Sequence, residues 1–162
     1  MLKLSLKKVK NEDCELIYSW ILKKRVRIFL SSFFRQKKIN LQMIKILTKK
    51  LNSKWYLIRS NNENVGCLIL DDIDFDDKIA NIWYFIGNDN FLRKNISFKV
   101  IKNFLKANPV KLHAVTAWAS SNNKSSNNLL LKLKFIKIAK IPKTFKISKD
   151  FFDRVLYFKS LI

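Results

Sequence analysis

Apolar and polar positions change their spacing several times along the chain, and each change marks an element. Leu2, Leu4 and Leu6 alternate with Lys3, Ser5 and Lys7, the period of two that a half-buried strand requires. From Asp13 onward Leu16, Ile17, Trp20 and Ile21 fall at helical spacing behind an acidic N-cap signal. A second helix is predicted to open at Asn40, with Leu41, Ile44, Leu47 and Leu51 on one face. The stretches "WYLIRS" and "VGCLIL" flank the polar turn "NNEN" and read as a hairpin. The acidic run "DDIDFDD", residues 71 to 77, reads as a solvated loop between strands. Next comes the apolar strand "IANIWYFIG", which stops at Gly87 before a basic turn, "FLRK". A helix over 95–107 follows, in which Ser97, Val100, Ile101, Phe104 and Leu105 share a face, and Asn108 with Pro109 ends it. The strand "LHAVTAW", a helix within 123–135, the strand "FIKIAKI" and a last strand around "RVLYF" complete the order.

Strand, two helices, three strands, helix, strand, helix and two strands predict an α/β fold. The sheet is mixed and mostly antiparallel, with helices on both faces and a central parallel pair joined through the helix at 95–107. A strand that feeds a helix N-terminus creates an anion site, because unpaired N–H groups and the helix dipole face whatever binds there. Arg93 and Lys94 sit at that terminus.

Composition narrows the function classes. A chain of 162 residues fits one domain, 1–162, large enough to bury a core, and 48% hydrophobic residues argue against disorder. The longest apolar runs are too short for a bilayer span, and the first ten residues have no export-type apolar core, so a cytoplasmic protein is expected. Cys14 and Cys67 lack metal-like spacing and read as two buried thiols; no metal site is expected. The formal charge of +21 points to an anionic partner such as nucleic acid. Lysine supplies nearly all of it, scattered through every segment of an asparagine- and isoleucine-rich chain with two glycines, as an AT-rich coding sequence would give. A solvated basic surface therefore explains the charge better than a nucleic-acid groove.

The stretch from Asn123 to Phe135 carries a further signal. Asn123, Ser126, Leu129, Leu130, Lys132, Leu133 and Phe135 match in register an N-x-x-S, leucine-rich helix, L-G-F signature near the C-terminus. In this the chain resembles the GNAT superfamily of acetyl-CoA-dependent N-acetyltransferases. "ANIWYFIGND" followed by "FLRKNIS" is similar to that superfamily's strand and cofactor turn, and "ELIYSW" with Val26 and Arg27, "KWYLI" and the tail "TFKISKDFFDRVLYF" also fit. The set spans residues 2 to about 158. It most resembles the sugar-nucleotide amine acetyltransferases of the pseudaminic-acid type, and next the ribosomal-protein N-terminal acetyltransferases.

The resemblance implies acetyl-CoA as cofactor and assigns roles by position. The turn that binds the coenzyme's diphosphate corresponds to Leu92, Arg93, Lys94, Asn95, Ile96 and Ser97, where Leu92 replaces a basic residue and Asn95 and Ser97 replace two glycines. Asn95 tolerates left-handed backbone angles and Ser97 is small, which suits an N–H cradle. Phe85, Ile86 and Gly87 match the splayed strand that pairs with the pantetheine arm, a backbone N–H near Ile86 matches the oxyanion donor, Asn123 matches the residue that steadies the splay and the arm and is with Tyr84 a candidate catalytic residue, and Ser126 is a further cofactor-binding candidate. The tyrosine that many relatives use as acid is here Leu130, and Tyr84 is the substitute on the neighbouring strand. Trp20 and Trp83 border the expected acceptor pocket, and His113, the one histidine, opens its strand away from it. The expected acceptor is a small-molecule primary amine, foremost the amino group of a nucleotide-linked sugar. The alternatives are a protein N-terminus, a fold member without chemistry, and a basic polyanion-binding module.

Overall fold

The computed structural model describes residues 3–162, so Leu2 of the expected first strand lies outside the described residues. The elements run β1 (Leu4–Lys8), α1 (Cys14–Leu22), α2 (Lys24–Arg27), α3 (Ser32–Arg35), α4 (Leu41–Leu47), β2 (Lys54–Ser60), β3 (Glu63–Asp74) and β4 (Ile79–Ile86). After these come α5 (Ile96–Ala107), β5 (Ala114–Ser120), α6 (Lys124–Lys132), β6 (Ile136–Ile147) and β7 (Asp150–Ser160). The seven strands form one sheet in the order β1-β2-β3-β4-β5-β7-β6. Only β4 and β5 are parallel, as the βα crossover through α5 demands.

Each face of the sheet has its own core. Val100, Ile101, Phe104 and Leu105 of α5, with Leu130 and Leu133 around α6, pack on Ile58, Leu68, Leu70 and Ile82. On the other face Ile17, Trp20 and Ile21 of α1 and Ile44 of α4 pack on Leu57, Cys67, Ile69 and Phe85. Both cysteines are buried free thiols, and burial pushes the Cys67 thiol well up from its ordinary value. No helix among the described residues is long and apolar enough to cross a membrane.

The caps read from sequence behave in two ways. Asn40 Oδ1 accepts the Met43 N–H at 3.0 Å and Asn123 Oδ1 accepts the Ser126 N–H at 3.2 Å, so both cap their helices. Asp13 does not: its carboxylate takes the Lys10 N–H at 2.8 Å and Lys7 Nζ at 3.0 Å, securing the turn before α1. Leu51 is also corrected, because α4 stops at Leu47 and Leu51 is 91% exposed. The acidic run is only partly loop. Asp71, Asp72 and Asp74 belong to β3, with a register shift between Asp71 and Asp74, and only Asp76 and Asp77 stand in the turn, where Asp74 Oδ1 accepts both of their N–H groups.

Both glycines are required by close approach. A Cβ at Gly66 would lie 2.1 Å from Phe85 O on the neighbouring strand, and one at Gly87 would lie 2.0 Å from the Trp20 ring. With glycine committed to these contacts, left-handed positions fall to other residues: Asn95, Asn108 and Lys134 stand at φ 56, 41 and 64. Asparagine is the residue that bears this best after glycine.

Candidate functional site

The parallel ladder between β4 and β5 is short. It runs from Ile79↔Ala114 to Asn81↔Thr116 and stops, after which the strands diverge. Each free end is tied elsewhere. On β4, Arg25 Nη1 donates to Ile86 O at 2.7 Å and Nη2 to Gly87 O at 2.9 Å, while Nε meets Asp89 Oδ1 at 2.5 Å. Lys23 Nζ adds bonds to Gly87 O at 2.9 Å and Asp89 Oδ2 at 2.5 Å. These two cations hold the Asp89 carboxyl below the usual carboxylate range, Lys23 contributing most. On β5, the ladder with β7 continues to Ser120↔Arg154, and Asn127 Nδ2 donates to Ser120 O at 2.9 Å. Tyr157 donates to Asn127 Oδ1 at 2.6 Å and fixes that amide. The gap is therefore held open from both sides.

A cleft of about 630 Å³ occupies it, lined by β4, β5, the 92–97 turn, the first turns of α6 and the segment 25–30. Among the described residues no aspartate or glutamate lines this cleft, whereas Arg25, Arg93, Lys94 and Lys132 do. Net positive potential follows, and a low-dielectric wall of Phe29, Trp83 and Phe85 strengthens it.

The turn before α5 has the form an anion needs. Arg93 has φ 60, and Asn95, at the N-cap, has φ 56 and ψ 23 with no side-chain cap bond. Left-handed Asn95 followed by Ile96, the first helical residue, is the kind of pair whose successive N–H groups form an anion-binding concavity. Among the described residues no acceptor takes the N–H groups of Arg93 to Phe98; the first one paired is Lys99, which donates to Asn95 O at 3.3 Å. The twelve-residue α5 adds its dipole to the same point. Ile96 is buried and anchors the turn, Ser97 lines the cleft, and Lys94 Nζ rests 4.9 Å from the Phe91 ring centroid.

The remaining expected residues divide between cleft and support. Phe85, Ile86, Asn123 and Ser126 line the cleft. Tyr84 also lines it and donates its phenol to Ser126 Oγ at 3.3 Å; burial pushes that phenol up to about 12, against the hydrogen bond, which lowers it. Trp83 lines the cleft within an aromatic group, 5.2 Å from both Trp55 and Phe34. Trp20 and Gly87 do not reach the lining: the indole, 4% exposed, packs beneath Gly87 and meets Phe85 edge-on. His113 is exposed at the paired end of β5, and Leu130 is buried.

Sequence reasoning missed Arg25, Lys23, Asp89 and Asn127. Arg25 sits in the basic run "KKRVR", and its partner Asp89 lies 64 residues away, so nothing local marks the pair. Asn127 stands outside the matched motif positions, yet it joins Ser120 O to Tyr157 and also donates to Asn123 O at 2.7 Å.

A mixed sheet splayed at its one parallel pair, with a glycine-poor anion turn at the gap, defines the GNAT-type acetyltransferase fold. Solved structures agree. A spermidine N-acetyltransferase from Vibrio cholerae in complex with CoA and spermine superposes with a TM-score of 0.86 at 13% identity, over 98% of this chain and 95% of that one. The ribosomal L7/L12 alpha-N-protein acetyltransferase RimL in complex with coenzyme A gives 0.79 at 16% identity, over 97% and 93%. A probable acetyltransferase gives 0.80 at 17% identity, over 97% and 92%. No family model and no curated protein sequence matches the chain. The likeness is thus one of fold.

Proposed function

We propose that the protein is an acetyl-CoA-dependent N-acetyltransferase acting on a primary amine, foremost the amino group of a nucleotide-linked amino sugar, as in the pseudaminic-acid-type enzymes, with residues 1–162 working as one domain. The observation that carries this reading is the open β4–β5 gap with the unpaired N–H groups of Arg93 to Phe98 at its edge. Solved structures of the same fold hold coenzyme A, which supports the choice of cofactor.

Bound acetyl-CoA supplies an acyl group activated as a thioester. The N–H groups of Arg93 to Phe98, with the Arg93 and Lys94 cations, would hold its diphosphate, and the cleft residues Phe85, Ile86, Asn123 and Ser126 would border the rest of the coenzyme. Tyr84 lines the same cleft, with its O–H donated to Ser126 Oγ. A phenol near 12 cannot give its proton outright to a thiolate whose conjugate thiol titrates near 8.5, a gap of about 5 kcal/mol. Turned from Ser126 Oγ toward a bound thioester, the Tyr84 O–H would therefore serve as a hydrogen-bond donor to the sulfur rather than as its acid. Among the described residues the cleft presents neither carboxylate nor imidazole, so the acceptor amine loses its proton to water.

The lining also sorts acceptors. A polyamine carries several positive charges and needs carboxylates, whereas this cleft presents four cations and no acid among the described residues. A nucleotide diphosphate reverses that balance. An acidic peptide N-terminus is the second reading, favoured by the likeness to RimL.

Calorimetric titration and a thiol-release assay test this. Wild type is expected to bind acetyl-CoA at micromolar Kd, and Arg93→Glu with Lys94→Glu to weaken it at least tenfold. Release of thiol should follow a nucleotide amino sugar and not spermidine; no heat with acetyl-CoA in the wild type would overturn the proposal. Tyr84→Phe is expected to lower kcat about tenfold to hundredfold with the acetyl-CoA Kd unchanged. Because the phenol is raised to about 12, its contribution to stability is whole below about pH 10 and is lost as pH rises from about 10 to about 12. Stability of the wild type should therefore fall more steeply than that of Tyr84→Phe across that window in pH-dependent denaturant titrations.

A further inference from the structure

The four-residue α2 separates two clefts. Arg25, Val26 and the adjoining Phe29 face the gap between β4 and β5; Lys24, Arg27 and the adjoining Ile28 face a second cleft of about 680 Å³. Its far wall is the end of α3 with Arg35 and, just beyond it, Lys37, and its floor is the end of β6 with Lys146 and the turn that follows.

We propose that this second cleft binds a small anion bearing a diphosphate group, on Lys24, Arg27, Arg35, Lys37 and Lys146. Five of the eleven lining residues are cations and none is acidic, among the described residues. The whole chain carries 33 cations in 162 residues, so the drift that makes it lysine-rich does not account for nearly half of one lining. None of the five makes an ion pair with a described residue; the ion pairs among the described residues fall on Lys7, Lys23, Arg25 and Lys140.

Their bonds are to neutral groups instead, and these bonds set the geometry. Arg27 Nε donates to Phe34 O at 2.9 Å and its Nη2 to Gln36 O, which ties α2 to the end of α3. Arg35 donates Nη1 to Lys146 O and lies 4.4 Å over the Phe145 ring, which ties α3 to the end of β6. Arg35 Nε is buried with no partner, an N–H left for a ligand. Burial, and then Arg154, lower the Arg35 pKa, the mark of positive charge held without a counter-charge. Two guanidiniums preset by packing, with exposed lysines around them, suit the several oxygens of a diphosphate. The site stands apart from the acetyl-transfer reading.

The test is titration of the full chain with inorganic pyrophosphate, followed by calorimetry and by amide chemical shifts, in the Arg93→Glu/Lys94→Glu background that disables the first anion turn. One pyrophosphate per chain should bind, with shifts centred on residues 24–37 and 146–148. Adding Lys24→Glu and Lys37→Glu, both at exposed positions, should weaken it at least tenfold while leaving the melting temperature within a few degrees. Uridine diphosphate serves as a second arm: tighter binding than pyrophosphate supports a nucleotide as the source, and equal binding supports the diphosphate alone. Undiminished affinity in the fourfold variant, no binding in the Arg93→Glu/Lys94→Glu background, or binding of an RNA oligomer without binding of pyrophosphate each overturns the site. Loss of acetyl-CoA binding by the wild type would leave these results unchanged, so the two proposals fail separately.

Discussion

Asn95→Val is expected to weaken acetyl-CoA binding about hundredfold, whereas Asn95→Gly retains it or tightens it. The backbone at Asn95 stands at φ 56 and ψ 23, where an L-residue pays roughly 1–2 kcal/mol and a β-branched one more. Asparagine is among the few side chains that tolerate this, so the turn keeps its left-handed residue without glycine. Valine would drive the residue back toward negative φ, and the N–H groups of Arg93 to Phe98 would no longer converge. The surface position makes the fold itself indifferent, since Asn95 is exposed and its side chain makes no cap bond. Titration calorimetry with acetyl-CoA, beside thermal melting of the same samples, separates the two effects. Equal affinity in the valine and glycine variants would show that the turn's amides do not hold the ligand.

Gly66→Val should cost the most stability of any single change proposed, about 3 kcal/mol or more. The added Cβ would stand 2.1 Å from Phe85 O, a backbone atom of the paired strand, and 2.9 Å from Ile86 Cα. No rotamer change relieves a backbone collision, so β3 and β4 must part at the register pair Gly66↔Ile86. For a chain of this size 3 kcal/mol corresponds to a fall in Tm of roughly 6–12 °C. The same substitution displaces Ile86, whose carbonyl Arg25 holds, so acetyl-CoA affinity should fall with it. A Tm within 2 °C of wild type would refute the close-approach account.

Most secondary structure was legible because its causes are local. α5 followed from the spacing of Val100, Ile101, Phe104 and Leu105 and from the stop at Asn108, whose side chain does exchange bonds with Leu112. The hairpin of β2 and β3, and α6 behind Asn123, likewise followed from a turn and a cap. Where the reading failed, a distant partner overrode the local signal. β6 runs to Ile147, through Pro142 and several lysines, because an edge strand needs only its β7 side and a register shift between Ile141 and Phe145 absorbs the proline. The acidic residues 71, 72 and 74 join β3 because β4 pairs with the strand almost to its end. α2 and α3, at four residues each, are too short for periodicity to reveal.

The candidate site divides along the same line. Residues 92–97 and Asn123–Ser126 were legible as a basic turn before a helix and a polar cap, since both depend on neighbours in the chain. That the turn lacks glycine yet keeps its left-handed angles was an expectation from asparagine's chemistry, and φ 56 at Asn95 meets it. Only the folded chain decided that β4 and β5 part after Asn81 and Thr116, because the ties that hold them apart join residues remote in sequence. Arg25 reaches across to Ile86, Gly87 and Asp89, and Tyr157 reaches Ser120 through Asn127. Local order came from caps and periodicity written along the chain; the opening came from long-range hydrogen bonds, which no spacing along the sequence encodes.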